Sequence, residues 1–414
     1  MPSIARFAAR LGLSCLGLGV VAGLGGCGGS DPVAQRPVSL QGGVPVGAVL
    51  ALTGNANVYG QDQRVGLNLA LAQLNGIGNG HGGIGGTPLR LAIEDSGSDD
   101  PGANAAMTLQ INRGMLAVIG PTLSQQAFAA DPIAQRRGMP VVAPSNTATG
   151  IPQIGHFISR VSAQSSVIAP LSIAKALQLQ PSIRRAAVFY AQDDAYSTAE
   201  TTIFQKALNA KGLRPVTVQR TQLADNDFQN QISATLALKP DLIVLSLQAV
   251  DGGNLVRQLR ELGYRGTIVV GNGMNTPNIY PICQRYCDGL LIAQAYSPEL
   301  DTPANRAFVR AFAAHQARSG RGPAIPPQLT AQAYTALQVI GDALQRLNAQ
   351  RPLKGLTVAE ARKGLMDAIL SGTYQTPLGE IHFTPDGEVV QRNFFVAQVR
   401  MNPDGRSGRF ALLP

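Results

Sequence analysis

The sequence has no tryptophan, 5% aromatic residues, and only four histidines and four cysteines. The histidines, His81, His156, His315 and His382, stand singly along the chain, and neither G-x-S-x-G nor H-E-x-x-H occurs. No constellation of nucleophile, base and orienting group is legible, so the reading is not an enzyme, and no metal or cofactor is expected. The scarcity of aromatics also limits what the charge can mean. The net charge is +9, but the basic runs are short, as in Arg136-Arg137 and Arg184-Arg185, and no aromatic platforms alternate with them. Nucleic acid is therefore excluded as a partner. No apolar run reaches the roughly 20 residues that a bilayer-spanning helix needs.

What is present begins with an N-terminal export pattern. Arg6 and Arg10 precede an apolar, glycine-rich run from Leu11 to Leu24, followed by Gly25-Gly26-Cys27. Residues 1–26 read as a signal peptide. Leu24-Gly25-Gly26-Cys27 resembles a lipobox, which implies lipidation of Cys27 and a membrane attachment through that anchor alone. Residues 27–43 lack periodicity and read as a flexible tether. Cys283 and Cys287 are the remaining pair, and an exported compartment favours a disulfide between them. The competing reading is a metal pair, but two thiols without neighbouring His or Cys leave a tetrahedral site incomplete.

Downstream, apolar runs of strand length alternate with segments of helical periodicity. Val44 to Leu52 is a strand, 62–75 a helix, Leu89 to Glu94 a strand, and a helix follows from Gly102 to Asn112 behind Asp99, Asp100 and Pro101. The stretch from Ala117 to Gly150 gives a short strand, a turn, a helix, and a second strand from Met139 to Ala143. A similar series runs from Gln164 to Val270. Such alternation predicts an α/β protein with doubly wound parallel sheets. In these sheets small ligands sit beyond the carboxyl ends of strands, where helix N-termini offer unpaired N–H groups. Ser124 and the run Ser145 to Thr147 occupy two such ends.

Six segments in order, ALTGNANVYGQDQRVGLNLALAQLN, IEDSGSDDP, AVIGPTLS, MPVVAPSNTAT, FISRVSAQ and VFYAQDDAYS, resemble the type I periplasmic binding proteins, in the branch of the leucine/isoleucine/valine-binding proteins of ABC transporters. The resemblance implies two Rossmann-like lobes joined by three crossover segments, closing by hinge motion on a solute. Lobe 1 would take 44–160 and 294–373, lobe 2 would take 161–293 and 374–414, and the crossovers would fall near 159–162, 293–298 and 373–383. It further implies a monomeric lipoprotein that delivers its solute to an ABC permease. A sensing receptor module of the same fold is the alternative, and a hydrolase a more distant one.

Carried over residue by residue, the resemblance gives Ser124, Ser145, Asn146 and Thr147 to a carboxylate or carbonyl grip. Tyr59 and Tyr196 become pocket walls from the two lobes, with Asp194, Gln248 and Asn272 facing the grip. The chain departs from the pattern in two places. The acidic residue expected after the late lobe 2 strand is replaced by Asn272, Gly273 and Met274, and the tyrosine expected after Asp241 to Leu245 by Ser246-Leu247-Gln248. A ligand ammonium buried without a carboxylate is costly. Either Asp193, Asp194 or Asp251 substitutes, or the solute is an amide or a small carboxylate instead of an amino acid. Two motifs mislead: Gly78 to Gly83 fits G-x-G-x-x-G but lies between a helix and a strand, the reverse of a dinucleotide site. Asp95, Gly97 and Asp99 resemble a calcium-loop start without its closing glutamate.

Overall fold

The computed structural model describes residues 32–76, 82–320 and 324–414. The signal peptide, Cys27 and the first part of the tether lie outside the described residues, as do Gly78, Gly80 and His81 of the glycine-rich connection.

Lobe 1 starts with β1 (Val44–Leu50), α1 (Asn57–Leu74), β2 (Leu89–Asp95), α2 (Asp100–Asn112), β3 (Val118–Ile119), α3 (Ser124–Arg136), β4 (Val141–Ala143) and β5 (Ile158–Arg160). The five strands form one sheet in the order β2-β1-β3-β4-β5, every pair parallel. Every residue of β1 is buried, as a strand covered by helices on both faces requires. Asp99 caps α2, its Oδ1 accepting the Gly102 amide at 2.7 Å.

Lobe 2 follows with α4 (Ser165–Leu179), β6 (Ala186–Ala191), α5 (Ala195–Ala210), β7 (Pro215–Thr221), α6 (Gln229–Ala237), β8 (Leu242–Ser246), α7 (Ala249–Glu261), β9 (Thr267–Val270), the short α8 (Tyr280–Cys283) and β10 (Leu291–Gln294). The chain then returns to lobe 1 as α9 (Pro303–Arg318), α10 (Gln328–Gln350), α11 (Val358–Leu370) and an antiparallel sheet of β11 (Thr373–Thr376), β12 (Gly379–Phe383) and β13 (Val389–Val390). It ends with β14 (Phe395–Met401) and β15 (Gly408–Leu412), antiparallel on β10 in a sheet ordered β15-β14-β10-β9-β8-β6-β7. Helix α10 lies directly on α1: a Cβ on Gly66 would overlap the Thr330 carbonyl, so only glycine allows this approach. Cys283 and Cys287 form a disulfide with Cα atoms 5.4 Å apart, a local clip within lobe 2. Among the described residues, no helix is long and apolar enough to cross a membrane.

Two boundaries differ from the sequence reading. The inward side chains of β11 and β12 and the turn between them, Tyr374, Leu378, Ile381 and Phe383, belong to the lobe 1 core with α10 and α11. The third passage between lobes therefore falls after β13, at 391–394, and not at 373–383. Alternating burial marks a strand in the sequence, but it does not say which lobe supplies the apolar surface beneath it. The described part of the tether is also docked. Val33 and Val38 are buried, the Val38 amide donates to the Leu356 carbonyl at 2.9 Å, and Val358 donates to Arg36 at 2.8 Å. A short strap that turns at 32–35 and pairs with a distant segment has no periodicity of its own.

The three passages meet. Ala163 from the first, Ala293 and Ala295 at the second, and Phe394 from the third share one small apolar cluster. Gln391 Nε2 donates to the Ala295 carbonyl at 2.8 Å, tying the last two together.

Candidate functional site

The carboxyl ends of β3 and β4 carry the polar residues of lobe 1. The Gly120–Pro121 bond after β3 is cis, and α3 begins three residues later with Ser124 as its first residue, not its cap. Ser124 Oγ accepts the amides of Thr147 and Ala148, both at 3.2 Å, so its own proton is available to a partner in the cavity. The first intrahelical amide of α3 is that of Ala127, which leaves the amides of Ser124 to Gln126 and the positive end of the helix dipole at the same place.

Behind this surface is a neutral scaffold. Thr122 Oγ1 accepts from the Ala51 amide and donates to Gln63 Oε1 at 2.7 Å. Gln63 Nε2 donates to Ser145 Oγ at 2.7 Å, and Ser145 Oγ donates to the Thr122 carbonyl at 2.6 Å. The Ser145 proton is thus used internally, and the residue holds the loop more than it offers a donor. Asn146 Nδ2 donates to Pro121 O, whereas its buried Oδ1 has no partner. The loop is fixed from below by Arg160. Its guanidinium forms a two-pronged ion pair with Glu388 at 2.8 Å and donates to the carbonyls of Ala148 at 2.7 Å and Asn146 at 3.3 Å.

The lobe 2 side is built from the ends of β6, β8 and β9. Asp194 caps α5 by accepting the Ser197 amide and hydroxyl at 3.0 and 2.8 Å, and it receives Gln248 Nε2 at 3.1 Å. Burial raises its pKa against these three donors. Tyr196 lies in the first turn of α5. Its hydroxyl donates to Glu200 Oε2 at 2.5 Å and accepts the Gly273 amide at 2.6 Å. Glu200, one helical turn on, is 1% exposed; it also receives the Asn272 amide, Ser246 Oγ and Ser165 Oγ at 3.1, 3.1 and 3.4 Å. Desolvation pushes its carboxyl up to about 7. Gly271 makes this possible, since a Cβ there would overlap Glu200 Oε2.

The lobes touch across the site. Tyr59 on α1 donates to Gly273 O at 2.6 Å and accepts the Ala249 amide at 2.7 Å. Gln328, at the start of α10, donates to Asn272 Oδ1 at 3.0 Å and accepts the amide of Ala295 in the second passage at 2.7 Å. Together these elements enclose a cavity of about 30 Å³, room for water-sized groups only. Of the residues singled out in the sequence, Tyr59, Ser124, Ser145, Asn146, Thr147, Tyr196, Gln248 and Asn272 line it, and Asp194 stands behind Gln248. Asp193 is exposed and receives the Leu223 amide, while Asp251 is buried behind the wall. Neither replaces the missing acid at the lining, which holds no ionisable carboxyl or amine. A larger cavity of about 1020 Å³ opens beside the second passage, walled by Tyr280, Tyr296 and Phe312, and none of the nine residues lines it. Sequence reading missed Glu200 and Gln328. Glu200 stands at i+4 from Tyr196, a spacing that signals contact only once α5 is seen to start at Ala195.

A family model described as periplasmic binding protein matches residues 43–406. The chain belongs to the periplasmic binding protein family. Among its relatives is the leucine-, isoleucine-, valine-, threonine- and alanine-binding protein of Pseudomonas aeruginosa, 25% identical over 346 residues, covering 83% of this chain and 87% of the relative. The same fold occurs in a branched-chain amino acid transporter substrate binding protein of Streptococcus pneumoniae in complex with isoleucine. That match has a TM-score of 0.76 and 18% identity, over 90% of this chain and 99% of the other. It also occurs in a solute binding protein of an ABC transporter from Rhodopseudomonas palustris in complex with 3,4-dihydroxy benzoic acid, with a TM-score of 0.74 and 19% identity, over 89% and 95% of the two chains. As a member of this family the chain is a binding protein and not an enzyme.

Proposed function

We propose that this protein is the extracytoplasmic solute-binding component of an ABC importer, anchored by lipid at Cys27, that holds a small solute between its lobes and presents it to the permease as a monomer. The observation that carries the reading is the convergence of Ser124, Asn146 and Thr147 from lobe 1 with Tyr196, Gln248 and Asn272 from lobe 2 on one cavity at the strand ends. The relatives named for branched-chain amino acids and for an aromatic acid bracket the solute class: an amino acid, an amide or a small carboxylate. A cavity of about 30 Å³ admits none of these with the lobes together. Loading therefore requires the lobes to part about the three passages, breaking the Tyr59 and Gln328 contacts, and to close again around the solute.

Calorimetric titration of the protein with isoleucine, benzoate, 3,4-dihydroxybenzoate and aliphatic amides tests this. At least one binds, and Ser124→Ala and Thr147→Ala each weaken it about tenfold or more, the worth of a charge-assisted hydrogen bond. Binding that neither substitution affects overturns the site; turnover of a bound compound overturns the transport reading.

A further inference from the structure

Glu200 has more hydrogen-bond donors than a merely buried acid needs and no cation to justify its charge. Its two oxygens lie within hydrogen-bond distance of Tyr196 Oη, Ser246 Oγ, Ser165 Oγ and the Asn272 amide, all uncharged. The single protons of Ser246 and Ser165 are shared with the Ser197 carbonyl at 3.0 Å and Thr147 Oγ1 at 3.2 Å. The ionisable groups nearest to this cluster are Tyr196 on the same helix, Tyr59 from α1, Asp194 at the start of α5 and Asp251 on α7; each is neutral or anionic. Two of the four donors lead to the cavity. Tyr196 lines it directly, and Ser165 Oγ lies 3.2 Å from Oγ1 of Thr147, which lines it from lobe 1.

The direction of the Tyr196 hydrogen bond is what matters. With Glu200 ionised, Tyr196 spends its proton on Glu200 Oε2 and its oxygen on the Gly273 amide, so it has nothing to donate to a solute. With a proton on Oε2, the carboxylic O–H donates to Tyr196 Oη, and the phenol proton is released to point into the cavity. Two changes then favour an anion: a negative charge behind the wall is gone, and Tyr196 joins Ser124 as a donor.

Resting on the function proposed above, we infer that Glu200 is a proton-linked positioning residue that makes the site selective for a carboxylate without an ammonium group, one proton from solvent binding Glu200 Oε2 as the solute anion binds. No other bond forms or breaks. A solute with an ammonium would favour the ionised form and expel the proton instead. The titration of Glu200 near 7 places the switch in an accessible range.

The test uses benzoate and isoleucine as probes, titrated between pH 6 and pH 8. Benzoate binds about tenfold more weakly at pH 8 than at pH 6, the effect of one linked proton. Glu200→Gln removes that difference while keeping the higher affinity, because the Gln amide donates to Tyr196 as the carboxylic O–H does. Tyr196→Phe weakens benzoate at pH 6. Independently of any solute, the infrared difference between the free protein and Glu200→Gln, which cancels the other buried carboxyls such as Asp62, shows a protonated carboxyl band at pH 6 that fades by pH 8. Absence of that band, pH-independent benzoate binding, or isoleucine binding that strengthens with pH while benzoate fails to bind overturns the inference; the last leaves the solute-binding reading intact. Failure of both probes at every pH, with the band present, overturns the selectivity and leaves only the titration, while the solute-binding reading stands or falls with the amides and 3,4-dihydroxybenzoate of the calorimetric test.

Discussion

The lobe 1 wall of the cavity is backbone held in place by neutral side chains, whereas the lobe 2 wall is backed by three buried carboxyls, Asp194, Glu200 and Asp251. On lobe 1 a buried charge pair, Arg160 with Glu388, sits behind the loop and acts on its carbonyls. Its charge is balanced within the pair, and the guanidinium holds the 144–148 loop through the carbonyls of Asn146 and Ala148. On lobe 2 Asp194 and Glu200 face hydroxyls and amides, which satisfy a carboxylate but cannot neutralise it, and Asp251 Oδ2 is buried without a partner. Ser124 can therefore serve as a fixed grip, while the Tyr196 side has two hydrogen-bond arrangements separated by one proton.

The largest test of this contrast is Arg160→Ala, which strands Glu388 and releases the loop; equilibrium urea unfolding shows a loss of about 3–5 kcal/mol, and solute affinity falls with it. Next, Gly271→Ala sets a methyl against Glu200 Oε2 and costs about 3 kcal/mol. Adding Glu200→Ala recovers part of that loss, a coupling that a double-mutant cycle detects. Third is the pH dependence of stability. The Glu200 carboxyl titrates at about 7 in the folded chain against an ordinary 4.5. The folded chain thus keeps a proton that the unfolded chain has released, and this share of stability is complete below pH 4.5 and lost as pH rises through 7. Wild type minus Glu200→Gln isolates it from other groups: their difference in unfolding free energy changes by about 2 kcal/mol between pH 5.5 and pH 8. An unchanged difference would place Glu200 in contact with water and remove the contrast. The smallest effect is on lobe 1, where Ser124→Ala lowers solute affinity by about 1.5 kcal/mol with no pH dependence of its own.

Most of the fold was legible because its elements announce themselves locally. The β1 run VPVGAVL is apolar throughout, as a strand covered on both faces must be, and Asp99-Asp100-Pro101 marks the start of α2. Ser124 and Ser145 to Thr147 were legible from the same logic, since strand ends with hydroxyls lie where open parallel sheets bind ligands, whereas Tyr59, Tyr196, Gln248 and Asn272 came from the family resemblance alone. Asp194, expected to face the grip, caps α5 and stands behind Gln248, since a capping residue and a ligand contact draw on the same side-chain chemistry at the same place in a βα loop. The assignment of β11 and β12 to lobe 1 was not legible, because the apolar surface that buries Tyr374 and Phe383 is provided by α10 and α11.

Sequence alone determined the alternation of strands and helices, the family resemblance, the hydroxyl-rich ends of β3 and β4, and the missing acid after β9. These are properties of neighbouring residues, and periodicity or a short motif carries them. Only the tertiary structure decided that an acid stands behind that gap after all, reached from α5 and fitted against Gly271. It also decided that Tyr196 is engaged, that Gln328 bridges the lobes, and that the 33–38 strap is docked. Each depends on groups brought together from distant parts of the chain, and the energy of a buried carboxyl is set by the donors and dielectric around it, which no local pattern specifies.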